Sequence, residues 1–300
     1  MSDPSTNPDN WNRTMGESTE QTGLAILRAQ RPRIELAFTR LNDGGYMYTE
    51  PRSTLALDDP YLGQWREGAL HRVAMSAAVD GLLAVQSIIE GAADGRNKLP
   101  MTALYPILRS IIENASLALY LIEAEDRDER LFRSFQSMAD DANRARQHRE
   151  SRGIAEAQAI YEREIDHIDT LIAARPMLSA SSARRLPLPK YTDLVKGADA
   201  LLLADPALDR TSGFKLIAFW QLLSGLSHGR AWAMVEALER SNAVVDPATR
   251  TGTVTMTTSV AAVAAIMQRG LELVESVVRL YGRRSTADHA LPADADEPWA

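Results

Sequence analysis

"MTALYPILRSIIENASLALYLIEA", residues 101–124, is the stretch on which the fold turns. Apolar residues fall on nearly every face of the helix it would form, with Pro106 tolerated near the first turns. Such a helix is buried by neighbours all round, and the rest of the chain has to supply them. Nearly everything outside it has helical spacing. The expectation is an all-α, multi-helix bundle.

Downstream, "DRDERLFRSFQSMADDANRARQHRESRG" (126–153) is densely charged, with Leu131, Phe132, Phe135 and Met138 as its apolar stripe, and reads as an outer helix. "IAEAQAIYEREIDHIDTLIAARP" (154–176) returns antiparallel to it, so the two make a long helical hairpin. "SASSARRLPLPK" (179–190) is a linker, and Thr192 caps a short helix to about Leu203. A helix from about Ser212 to Glu239 then carries "WQLLSGLSHGRAW" (220–232). "NAVVDPATRTGTVTMTTS" (242–259) joins β-branched residues through turn chemistry and predicts one small β-hairpin insertion. Ser259 caps the last helix, and Gly282 ends it.

Upstream, Leu24, Leu27, Ile34, Ala37, Phe38 and Leu41 outline a first helical region interrupted or kinked at Pro32. "NDGGYMYTEPRSTLALDDP" (42–60) reads as a loop, and Asp59–Pro60 as the start of a helix running to about Ala92. The polar ends, 1–18 and the acidic 284–300, read as disordered tails around a single helical-bundle domain over 19–283.

Composition narrows the function. The net charge of −7 supplies no global basic field for DNA or an anionic membrane. The chain has no cysteine, which removes disulfides, thiolate metal sites and cysteine nucleophiles. The first residues lack the basic and apolar regions of a secretory signal, and no unbroken run of about eighteen apolar residues exists to span a membrane. These features predict a cytoplasmic protein with no membrane and no DNA partner.

Four constellations carry polar chemistry. Arg109 and Glu113 stack on one face of the most apolar helix, with the polar Asn114 beside them. They read as a buried ion pair or as the lining of a polar cleft. His228 lies among Ser224, Gly225, Ser227 and Gly229, and reads as a hydrogen-bonded core histidine or as a catalytic one. Because buried polar groups seek each other, Arg109, Glu113 and His228 form one expected cluster, with the His228 ring facing the Arg109–Glu113 helix and Glu113 as its acceptor. Glu164 and His167 have the Glu-x-x-His spacing of bundle di-iron proteins, but there is no second such pair, and a solvated helix face is the better reading. In the series Arg127, Arg130, Arg133, Arg144, Arg146 and Arg149, acids interleave with the arginines and predict an ion-paired surface. Arg130 and Arg133 have the reach to contact a phosphate. No motif calls for a metal or another cofactor, and none is expected.

The segment "LYPILRSIIENASLALYLIEAEDRDERLFRSF" followed far downstream by "WQLLSGLSHGRAW" resembles a group of bacterial helical proteins with an Arg-x-x-x-Glu helix, an Arg-rich helix and a late Ser-His-Gly helix. That group is distantly similar to the HEPN proteins, small helical bundles of toxin and phage-defence systems. Many are metal-independent ribonucleases that dimerise to bring two Arg-x(4–6)-His motifs together. Arg109, Glu113, Arg130, Arg133 and His228 are the matching positions. Here Leu222, Leu223 and Ser224 precede the histidine, so an arginine would have to arrive in space, from Arg109 or Arg133.

The leading expectation is a homo-oligomeric bundle that binds a partner or small ligand through Arg109, Glu113 and His228, with Asn114, Arg130, Arg133 and Ser227 as further binding candidates. The alternative is a metal-independent ribonuclease acting on RNA, with His228 moving a proton and an arginine stabilising phosphorane charge.

Overall fold

The computed structural model describes residues 17–42, 49–63, 67–96, 98–100, 102–175, 178, 187–204, 215–246, 248–249 and 251–287. Ten α-helices occur among them: α1 (Glu17–Asn42), α2 (Thr54–Asp58), α3 (Glu67–Ala93), α4 (Leu104–Glu123), α5 (Arg127–Ser151), α6 (Ala157–Ala173), α7 (Tyr191–Ala204), α8 (Leu216–Ser227), α9 (Ala231–Ala237) and α10 (Val260–Ser285). The all-α expectation is met. The expected tails fall almost wholly outside the described residues, although α1 starts at Glu17 and α10 passes Gly282 to reach Ser285.

The stretch 101–124 is the hub. α4 packs against α3, α10, α7 and α8, while α1 closes the bundle against α3 and α10. Its inward face buries Leu104, Leu108, Ile111, Ile112, Ala115, Leu119 and Ile122. At roughly 1.5–3 kcal/mol for each large apolar side chain, this row outweighs any local preference. The same surplus explains α1, which continues through Pro32 as one helix, so the proline does not interrupt it. The lost hydrogen bond and ring clash cost roughly 3 kcal/mol, and burial of Leu27, Ile34 and Leu41 offsets them. α3 from Leu70 to Ala93 is long and apolar enough to cross a membrane. In the fold it buries one face, with Met75, Val79, Leu82, Val85 and Ile89, against the bundle core.

Caps set several boundaries. Ser53 accepts from the Ala56 amide and opens α2 inside a stretch read as loop. Asp59–Tyr61 form a 3-10 turn, so Asp59–Pro60 does not begin the long helix, which starts at Glu67. Asp126 accepts from Glu129 N at the head of α5, and Ser259 accepts from Ala262 N at the head of α10. α7 begins at Tyr191, one residue before the expected cap at Thr192.

The α5–α6 pair is the expected helical hairpin. It has its own small core, built from Leu131, Phe135, Met138, Ile165, Ile168 and Ile172. The β-hairpin is present too: β1 (Leu238–Asp246) pairs antiparallel with β2 (Thr251–Thr258), with an irregularity between Ser241 and Val244. Near its base the Thr258 hydroxyl donates to the Pro100 carbonyl.

Candidate functional site

α4 is not closed on every side, which corrects the opening expectation. Arg109, Ser110, Glu113, Asn114, Leu117 and Tyr120 form a half-open stripe along it. The side chains of Arg109 and Glu113 keep 24% and 17% of their exposure, so this ion pair sits at the surface of the bundle.

α8 lies along this stripe, and α7 fixes where it starts. The buried Asp199 on α7 accepts from the Leu216 amide at 2.8 Å, placing a carboxylate at the positive end of α8. This seats Trp220 against the ion pair. Oε1 of Glu113 accepts from Arg109 Nε at 2.8 Å and from Trp220 Nε1 at 3.0 Å. The Arg109 guanidinium carbon stands 5.5 Å from the centre of the Trp220 ring. Nη1 of Arg109 is 3.4 Å from His228 Nε2. An arginine only donates, so this bond requires a lone pair on Nε2 and places the ring proton on Nδ1.

The expected trio therefore meets, with one correction of wiring. His228 is exposed, and its partner is Arg109, not Glu113. The reason lies in the backbone. The helix expected over 212–239 breaks after Ser227, and His228 is its C-cap. Gly229 takes φ +64°, its amide donates to Leu226 O, and the Arg230 amide donates to Gly225 O. This is a Schellman ending, which requires the left-handed conformation that glycine adopts without penalty. A Cβ on Gly229 would meet nothing within 4 Å, so that glycine serves the turn and not a close approach. Gly225 is where the close approach occurs. A Cβ there would lie 2.7 Å from Ala233 Cβ and 2.7 Å from Trp232 Cζ2. The "SGLSHG" run lets α9 fold back tightly on α8 and leaves the imidazole at the corner, facing solvent and Arg109.

The other candidates separate from this cluster. Asn114 donates to the Ser110 carbonyl and hydroxyl on its own helix. The Ser227 hydroxyl donates to Leu223 O. Arg130 is 2% exposed and gives Nε to Asp58 Oδ2 at 2.7 Å and Nη1 to the carbonyls of Ala124 and Glu125. It is ion-paired as expected, but inside the fold and not at its surface, which removes it from the binding candidates. Arg133 donates to Glu123, Glu129 and the Tyr120 carbonyl and lies over the Tyr120 ring. In the helical hairpin, Arg149 holds Glu164 through both terminal guanidinium nitrogens, and no group of three metal-binding side chains occurs among the described residues.

Two contributors escaped sequence reading. Trp220 is one turn and two turns before Ser224 and His228 on the same helix face, which is a legible spacing. Tyr191 comes from a distant helix and carries no such signal. Burial, and after it the Glu113 carboxylate, push its hydroxyl above the ordinary range, with Arg144 and Arg109 opposing. The arrangement offers a fixed cation, a lone pair on an imidazole and an aromatic face, all at the surface. Compared with known protein families, curated proteins and solved structures, the chain matches none significantly.

Proposed function

We propose that the chain is a helical-bundle binding protein that holds an anionic group of a partner or small ligand at Arg109 and His228. Its role in a defence or toxin-like system is part of the proposal, and rests on the resemblance of its Arg-x-x-x-Glu and Ser-His-Gly helices. The observation that carries the binding reading is the open Arg109–His228 contact, with Arg109 anchored from behind by Glu113 and Trp220. A guanidinium whose rotamer is already fixed loses little entropy on meeting an oxyanion. Fluorescence anisotropy of a labelled single-stranded RNA, competed by inorganic phosphate, tests it. Saturable, salt-sensitive binding that Arg109→Gln weakens is expected, and binding equal in wild type and Arg109→Gln would overturn it.

A second reading, the metal-independent ribonuclease, is favoured by the same 3.4 Å distance, because that chemistry needs a proton carrier beside a fixed cation. In it, His228 Nε2 removes the 2′-hydroxyl proton and the 2′ oxygen attacks phosphorus. The bond to the 5′ oxygen breaks, and that oxygen leaves with a proton from water, giving a cyclic phosphate. Cleavage of RNA by the wild type and its loss in His228→Ala would support this reading. No cleavage by the wild type rejects it and leaves the binding reading standing.

We infer in addition that two chains associate. A two-stranded hairpin alone is marginal in water, and among the described residues β1 and β2 pair only with each other, with Val244 66% exposed. Sedimentation of a dimer supports this, and a strict monomer refutes it.

A further inference from the structure

Away from the Arg109–His228 corner, α4 and α7 enclose a cleft of about 460 Å³. Ser116, Leu119 and Tyr120 of α4 face Leu194, Gly197 and Leu201 of α7 across it, so its walls are mostly apolar. Two features of this cleft have no structural partner among the described residues. Ser116 is 1% exposed, yet its hydroxyl has no hydrogen-bond partner among the described residues. Several helical hydroxyls bond back to the carbonyl four residues earlier, as Ser227, Ser276 and Thr170 do, while Ser134 on α5 shares the unpartnered state but does not line this cleft. Gly197 stands inside α7, where glycine weakens a helix, and a Cβ there would meet nothing within 4 Å. Gly197 is exposed, so this wall of the cleft is open to solvent, and the buried Ser116 hydroxyl lies on the opposite wall.

The charges at the rim select the ligand. Arg133 is spent on Glu123, Glu129 and the Tyr120 ring. Asp193, on the first turn of α7, is exposed and has no ion-pair partner among the described residues. Beyond Leu119 and Leu201 an adjoining cleft of about 500 Å³ sets Arg279 and Arg283 against Glu123 and Glu125, so its charges balance, whereas the charge of Asp193 is left over. The negative end of the groove is therefore the end that holds the orphan hydroxyl. We propose that this cleft binds a small amphiphilic amine, with its ammonium at Asp193, its apolar body along Leu119, Leu194 and Leu201, and a distal hydrogen-bonding atom at Ser116. The size is that of an ordinary small-molecule pocket.

Calorimetric titration of the full chain with tyramine, phenethylamine and hydroxyphenylpropanoate tests the assignment. Tyramine is expected to bind at one site, about tenfold or more tighter than the carboxylate, because the sign of its charge suits Asp193. It should also exceed phenethylamine by about fivefold through the Ser116 hydroxyl, and Ser116→Ala should erase that difference. Gly197→Leu fills the cleft and should abolish tyramine binding, while melting at or above the wild-type temperature shows that the fold is intact. Equal binding of the amines and the carboxylate would overturn the proposal, as would tyramine binding unchanged in Gly197→Leu. Neither result depends on the Arg109–His228 reading.

Discussion

Replacing Asp58 with Asn should destabilise the protein far more than replacing Glu113 with Gln, although both remove a carboxylate that holds an arginine. Asp58 is fully buried, and its two oxygens accept from Arg127 Nε at 2.9 Å and Arg130 Nε at 2.7 Å. Arg130 has no route to water. An amide at position 58 leaves a buried guanidinium without a counter-charge, for which about 3–5 kcal/mol is typical. The bonds from Arg130 to the Ala124 and Glu125 carbonyls survive and favour the lower end. At roughly 2–4 °C per kcal/mol for a domain of this size, Tm should fall by roughly 6–12 °C. Glu113 pairs with a half-open Arg109, and such pairs contribute about 1 kcal/mol or less. The bond to Trp220 adds about 1 kcal/mol more, and glutamine keeps an oxygen able to accept it. With that bond kept, a fall of about 4 °C or less is expected for Glu113→Gln. Thermal melts followed by circular dichroism read both variants. If Glu113→Gln melts as low as Asp58→Asn, the open position of the Arg109–Glu113 pair is wrong, and with it the site.

The two glycines at the corner should respond for different reasons. Gly229→Ala puts a side chain on a left-handed residue without a clash and should cost about 1–2 kcal/mol with little change in tryptophan emission. Gly225→Ala should cost about 1–3 kcal/mol by overpacking and shift that emission, because Trp232 has to move. Burial holds the Glu275 carboxyl up at about 7, with Glu272 reinforcing and Arg33 and Arg279 opposing. A carboxyl raised in the fold binds its proton more tightly there than in the unfolded chain. Its contribution is complete below the ordinary carboxylate range and is lost as pH rises toward 7. Unfolding free energies from denaturant melts between pH 5 and 8 should fall less for Glu275→Gln than for wild type, by on the order of 2 kcal/mol, and parallel curves would contradict this.

Much of the fold was legible because burial imposes a period. The apolar row of α4, the alternating charge of α5 and the return of α6 all express it, as do the turn and β-branched residues of the hairpin. What failed is instructive in physical terms. Residues 101–124 read as closed all round, yet Arg109, Glu113 and Tyr120 recur at intervals of four and seven and mark the half-open stripe. The break after Ser227 was written in "SHG", a polar residue and a glycine at a helix end. It was masked by the apolar spacing that resumes at Ala231, Ala233 and Ala237. Arg130 could not be separated from Arg133 by sequence, since what distinguishes them is Asp58, which lies 72 residues away in the chain. The meeting of Arg109 and His228 was expected from the cost of isolated buried charge. It occurs for another reason, the tight α8–α9 corner, and outside the core.

The proposed site is one open anion-binding pair made by Arg109 and His228. Side-chain ¹H–¹⁵N spectra of the imidazole, recorded with and without inorganic phosphate, test it most directly. His228 is expected to carry its proton on Nδ1, phosphate to shift the Nε2 resonance saturably, and Arg109→Gln to remove both effects. A His228 signal indifferent to phosphate and to Arg109→Gln would contradict it.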